Sequence, residues 1–218
     1  MTAAGALRRG IIAAATAGAR PRPLAAAPPL PPKARVLLIR PDHLGDVVFT
    51  GPALARLTRA RPRWHVELLV GPWARPVATM LPGGAEIIAA SFPFFDRLPK
   101  PAPWVPYLRL ARVAGRLRQR RFDAAVVLRD DDWWSGWLAR RAGIPIRVGH
   151  DHPALAGFLT HVLPAAPAHT AARNLALVSA LCDDERPPDP RTDPLGLAVP
   201  AAAAAAARGV LNPPSGAG

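Results

Sequence analysis

Between Lys33 and Leu181 the chain alternates short, continuous apolar runs with longer stretches whose apolar residues recur every three to four positions. The runs Arg35 to Arg40, His65 to Val70, Glu86 to Ala89, Asp123 to Leu128 and Ile146 to Gly149 predict strands. Most are apolar at consecutive positions, as in a parallel strand covered on both faces. The stretches Asp46 to Arg61, Pro72 to Leu81, Trp104 to Arg121, Asp132 to Ala142 and His169 to Leu181 predict helices. Strand alternating with helix predicts an α/β fold, a doubly wound and mostly parallel Rossmann-like sheet over residues 33–182.

The flanks read differently. Residues 1–32 lack large apolar residues at helical spacing and end in a proline-rich run, so a disordered Ala/Pro/Arg-rich tail is expected there. Arg8 and Arg9 before Ile11 and Ile12 give a rival reading, a secretory signal, with those two as its only bulky residues. Residues 183–218 open with DDERPPDPRTDP, a linker, and continue into an alanine run suited to a short helix. The closing RGVLNPPSGAG looks like the first strand and glycine turn of a further domain.

Composition changes this picture little. At 218 residues there is room for one sizeable domain with tails. No apolar run approaches the roughly 18 residues of a membrane span, so a soluble, cytoplasmic protein is expected. The net charge of +13 would ordinarily suggest nucleic acid or an anionic surface. The excess is almost entirely Arg, with Lys only at Lys33 and Lys100, in a chain crowded with Ala and Pro, a combination that fits a coding bias as much as selection for charge. No aromatic-and-basic motif supports a nucleic-acid partner. Cys182 is alone, which excludes an internal disulfide.

The chemistry concentrates in RVLLIRPDHLGDVVFTGPAL, Arg35 to Leu54, where an apolar strand enters a turn with two aspartates. In open α/β sheets ligands sit beyond the carboxyl ends of the strands, so this turn is the first candidate site. A dinucleotide fingerprint would need three spaced glycines, and only Gly45 is present, so a nicotinamide or flavin cofactor is not expected. Asp46 at a helix start, beside a glycine that permits a tight path, could accept a proton from a sugar hydroxyl. The alternative is that Asp46 or Asp42 caps the helix. Pro52 demands a kink in a helix begun at Asp46, or a regular helix begun only near Thr50. Arg40, Arg129 and Arg75 lie at or just after strand ends, where guanidinium groups could hold a carboxylate or phosphate; the bland reading is ordinary surface arginine.

D-x-L-G-D-x-x-x-T-x-P-A-L, Asp42 to Leu54, resembles the amino-terminal motif of glycosyltransferase family 9, the ADP-heptose:lipopolysaccharide heptosyltransferases and their relatives. LLVGPWARP, RFDAAVVLRDD, IRVGHD and HTAARNLALVSAL follow in the family's order. The resemblance implies the amino-terminal, acceptor-binding half of a two-domain GT-B enzyme in lipopolysaccharide or cell-envelope biosynthesis. It implies inverting, metal-independent transfer from a nucleotide-sugar such as ADP-heptose to a glycan or glycolipid, without a cofactor. Asp46 takes the role of general base, with Arg40, Asp42, Gly45, Arg75 and Arg129 as candidate acceptor-binding residues. Ala172 stands where relatives often carry glutamate. The donor-binding half is missing from these residues, so the chain alone is expected to be inactive or weakly active. A non-catalytic glycan-binding module, or an acceptor subunit needing a separate donor domain, is the alternative.

Two further patterns carry expectations. Asp130, Asp131 and Asp132 before Trp133 and Trp134 read as an acidic helix start, and with the histidines scattered no metal site is expected. Arg109, Arg112, Arg116 and Arg120 form a basic stripe opposite Leu110, Val113 and Leu117, either a solvated face or a peripheral contact with the inner membrane face.

Overall fold

The computed structural model describes residues 9–10, 12–14, 16–18, 20–92, 102, 104–166, 168–184, 186–187, 189, 193 and 195–211. Among them seven strands form one sheet: β1 (Arg22–Pro23), β2 (Arg35–Arg40), β3 (His65–Val70), β4 (Glu86–Ala89), β5 (Ala124–Val127), β6 (Ile146–His150) and β7 (His161–Leu163). The order is β1-β7-β6-β5-β2-β3-β4, and every pairing is parallel. The chain winds outward from β2 to β4, crosses back to β5 on the other side of β2, and winds outward again. The fold is therefore the doubly wound sheet expected, with its reversal point between β2 and β5.

Consecutive apolar residues in β2 serve two cores. Val36 and Leu38 face one side with Leu54 and Leu57 of α2 (Gly51–Ala60) and Leu177, Val178 and Leu181 of α6 (Thr170–Cys182). Leu37 and Ile39 face the other, with Leu110 and Leu117 of α4 (Val105–Gln119) and Trp133 and Leu138 of α5 (Trp133–Arg141). Both residue sets are almost wholly removed from water, at about 1.5–3 kcal/mol for each large side chain.

The helix expected over Asp46 to Arg61 is two helices. α1 (Leu44–Val48) ends at Phe49, and α2 restarts with Pro52 in its first turn. Proline has no N–H for a continuous ladder and its ring collides with the preceding turn, so the break falls just before it. Asn174 Nδ2 donates to the Phe49 carbonyl at the break (3.1 Å). Pro72 to Leu81 is likewise shorter than expected, a 3₁₀ turn at Pro72–Ala74 and α3 (Arg75–Ala78). After α5, Gly143 takes φ +75°, a left-handed stop that favours glycine.

The segment expected to stay outside the fold contributes β1. Arg22 N and Leu24 N donate to Thr160 and Val162 carbonyls of the β7 region (both 2.8 Å), and Leu24 is buried. Pro23, with no N–H to give, lies between them on an edge strand, where a proline removes no ladder bond. The residues before it include 1–8, which lie outside the described residues. Arg208 to Leu211, expected to begin a strand, instead end helix α7 (Ala201–Leu211); residues 212–218 lie outside the described ones.

Candidate functional site

The turns after β2 and β5 meet at the reversal point and, with Arg173 of α6, bring seven charged groups together. Arg40, the last residue of β2, is 4% exposed, and its guanidinium has two hydrogen-bond acceptors and one further ion-pair contact. It donates to the Leu128 carbonyl (2.8 Å), faces Asp42 Oδ2 from Nε (2.6 Å), and donates to Asp46 Oδ1 (3.1 Å). Asp42 is fully buried, with Arg129 NH1 on its other oxygen and Trp73 Nε1 on its carbonyl (2.9 Å). Arg129 also binds Asp131, and these two carboxylates, Asp131 first, hold its proton more firmly than usual. Arg173 at the start of α6 donates to Asp130 (2.7 Å).

Asp46 sits in the first turn of α1 with its side chain 34% exposed. Its Oδ1 is fixed by Arg40, and its other oxygen has no partner among the described residues. Neither Asp46 nor Asp42 caps the helix: the N-cap is His43, and no side-chain cap bond forms. A partly exposed carboxylate at the carboxyl edge of the sheet, oriented by a buried guanidinium, is placed to accept a hydrogen bond from an incoming hydroxyl. Gly45 beside it has ordinary helical backbone, not the tight left-handed path that would call for glycine. A Cβ there would meet nothing within 4 Å. What its bareness leaves open is space over the turn.

The candidate arginines divide. Arg40 is buried and spent on Asp42, Asp46 and Leu128, so its effect on a ligand passes through Asp46. Arg129 is a third exposed and already holds two carboxylates. Arg75 is exposed on α3, which packs on α1, and forms no ion pair among the described residues. Asp42 is likewise sealed from a ligand and acts as the brace between Arg40 and Arg129.

Asp132 is the N-cap of α5, accepting from Trp134 N (3.1 Å) and the Ser135 hydroxyl. Burial, with the negative Asp42 adding to it, pushes its carboxyl up to about 6. Burial also holds His150 below the usual histidine range; its Nε2 lies 3.3 Å from the Arg173 carbonyl. Arg173 and Asn174 stand in the sequence only as letters of HTAARNLALVSAL; their partners, Asp130 and the Phe49 carbonyl, lie 43 and 125 residues away.

Two features lie at the opposite, amino-terminal edge. A cavity of about 470 Å³, lined by Leu30, Pro32, Arg61, Arg63 and Trp64 among others, contains no carboxylate or nucleophile. His65, Glu67 and Glu86 bring ligand atoms within 4.8 Å of one another. Arg35 already occupies one oxygen of Glu67, and Arg120 the other together with one of Glu86, so the group reads as an ion-pair network. Glu67, buried in mid-strand, was not singled out in the sequence; a lone acid in the apolar run HVELLV was the available signal.

No protein-family model matches the chain, and no curated protein matches it in sequence. Solved structures match the fold. Escherichia coli ADP-heptose lps heptosyltransferase II is 20% identical over 82% of this chain and 50% of that one, with a TM-score of 0.60. E. coli heptosyltransferase WaaC, solved with ADP-2-deoxy-2-fluoro heptose, is 20% identical over 71% and 50%, at 0.59. A glycosyl transferase family 9 structure from Veillonella parvula is 22% identical over 68% and 41%, at 0.57. The chain thus spans about half the length of the structures it resembles, and the likeness is one of fold.

Proposed function

We propose that this chain is the acceptor-binding half of an inverting glycosyltransferase of the heptosyltransferase type. The observation that carries the reading is Asp46: a partly exposed carboxylate at the sheet's reversal point, oriented by a buried arginine, in a fold shared with sugar transferases. In the reaction, the acceptor hydroxyl gives its proton to Asp46 as its oxygen bonds to the anomeric carbon. The bond from that carbon to the diphosphate breaks on the opposite face, the nucleoside diphosphate leaves with the electron pair, and the configuration inverts. A positioned base of this kind contributes about 10²–10⁴ in rate. The diphosphate is held by a donor-binding domain, since the residues named here lie on the acceptor side.

Arg40 acts as a positioning residue. Arg75, which forms no ion pair among the described residues, is a guanidinium available to a phosphate or carboxylate on the acceptor. The test joins this chain to a donor-binding domain and follows sugar transfer from ADP-heptose to a glycolipid acceptor. Transfer with inversion supports the reading; acceptor binding with no transfer in the joined protein identifies a glycan-binding module instead.

A further inference from the structure

We infer that the exposed face at the start of α4 docks this chain on an anionic lipid bilayer, with Trp104 and Leu108 entering the interface and Arg109, Arg112 and Arg116 meeting lipid phosphates. Trp104 is 61% and Leu108 54% exposed. Four residues apart, they share one side of the helix. Their neighbours turn inward: the Tyr107 ring lies 4.9 Å from that of Trp134, and Leu110 is buried. The three arginines are exposed, and Val105–Gln119 contains no acidic residue to neutralise them.

The basic stripe read in the sequence is thereby divided. Arg120 leaves it, bound to Glu67 and Glu86. What remains is an aromatic and a leucine beside three guanidiniums that form no ion pair among the described residues. Tryptophan favours the headgroup level and arginine the anionic surface, so a bilayer satisfies both halves of the patch. A nucleic acid would satisfy only the arginines.

Topology sets the orientation. β4 runs toward the carboxyl edge of the sheet, and α4 begins from that edge and returns to the start of β5. Trp104 and Leu108 therefore share an edge with Asp46. A bilayer held there would present a lipid-borne acceptor to the crevice; that last step rests on the function proposed above, whereas bilayer binding does not.

The experiment mixes the full chain with phosphatidylcholine vesicles, with and without phosphatidylglycerol, and measures co-sedimentation and quenching of tryptophan fluorescence by brominated lipid. The wild type binds the anionic vesicles and is quenched. Trp104→Ser with Leu108→Ser weakens binding at least about tenfold. Trp104→Phe keeps binding and loses most of the quenching, and Arg→Gln at 109, 112 and 116 removes the salt dependence. Far-ultraviolet circular dichroism confirms that each variant is folded. A wild type that ignores both vesicles, a double serine variant that binds unchanged, or equal quenching in Trp104→Phe overturns the inference. None of these results touches Asp46, whose role is read by sugar transfer.

Discussion

Replacing Asp42 with asparagine isolates the brace behind the site. The side chain is fully buried between Arg40 and Arg129, and asparagine keeps its size, so no cavity opens. The two arms weigh differently. Arg129 is a third exposed and retains Asp131, so losing Asp42 costs that arm no more than about 1 kcal/mol. Arg40 is 4% exposed and keeps only Asp46 and a carbonyl, so its positive charge is left buried and half-paired. Breaking a buried pair by removing one partner costs about 3–5 kcal/mol. For a domain of this size, that corresponds to a Tm lower by about 6–20 °C. Urea unfolding followed by circular dichroism should show an earlier midpoint with an unchanged slope. Asp42 also raises the Asp132 carboxyl, so the variant's Asp132, followed by carbon-detected NMR titration, should titrate below about 6. A stability loss under about 1 kcal/mol, with Asp132 unmoved, would refute the reasoning.

Other substitutions test neighbouring claims. Glu67→Gln, at a buried acid facing the part-exposed Arg35 and Arg120, should lower stability by about 2 kcal/mol in the same urea assay, up to about 1 for each arm, whereas Glu86→Gln at the exposed rim should cost under about 1. Asp132 has a folded-state value of about 6 against an ordinary 3.8, so the folded chain holds a proton the unfolded chain has released. Stability should therefore fall by about 3 kcal/mol as pH rises from about 4 through 6 and stay level above. Asp132→Asn, which still caps α5, should remove that fall. Arg56 is buried against Ser179 and Asp193 and bonds the Arg186 and Pro187 carbonyls. Arg56→Met should speed hydrogen exchange at the Arg186, Asp189 and Asp193 amides well before the sheet loses protection.

The sheet was legible because its strands are buried on both faces and so are apolar at every position, a pattern that survives without knowing what packs on them. β1 and β7 escaped for opposite reasons. Pro23 argues against a strand unless the strand is an edge whose outward N–H is dispensable, and His161–Leu163 is too short to carry a period. The break at Phe49 was half legible: Pro52 required it, but the partner that satisfies the freed carbonyl, Asn174, is 125 residues away. The site divides the same way. The turn holding Asp42, Gly45 and Asp46 could be read locally. That Arg40 is consumed by both aspartates, and that Arg173 reaches back to Asp130, depend on contacts which only the sheet order creates.

The central claim is that Asp46 takes the proton of the attacking hydroxyl. Its most direct measurement compares wild type with Asp46→Asn in the chain joined to a donor-binding domain, following sugar transfer together with acceptor affinity. Asparagine preserves the shape and the Arg40 contact but cannot act as a base, so the account predicts a turnover lower by about 10²–10⁴ with acceptor affinity changed little. Turnover within a few-fold of wild type would contradict it.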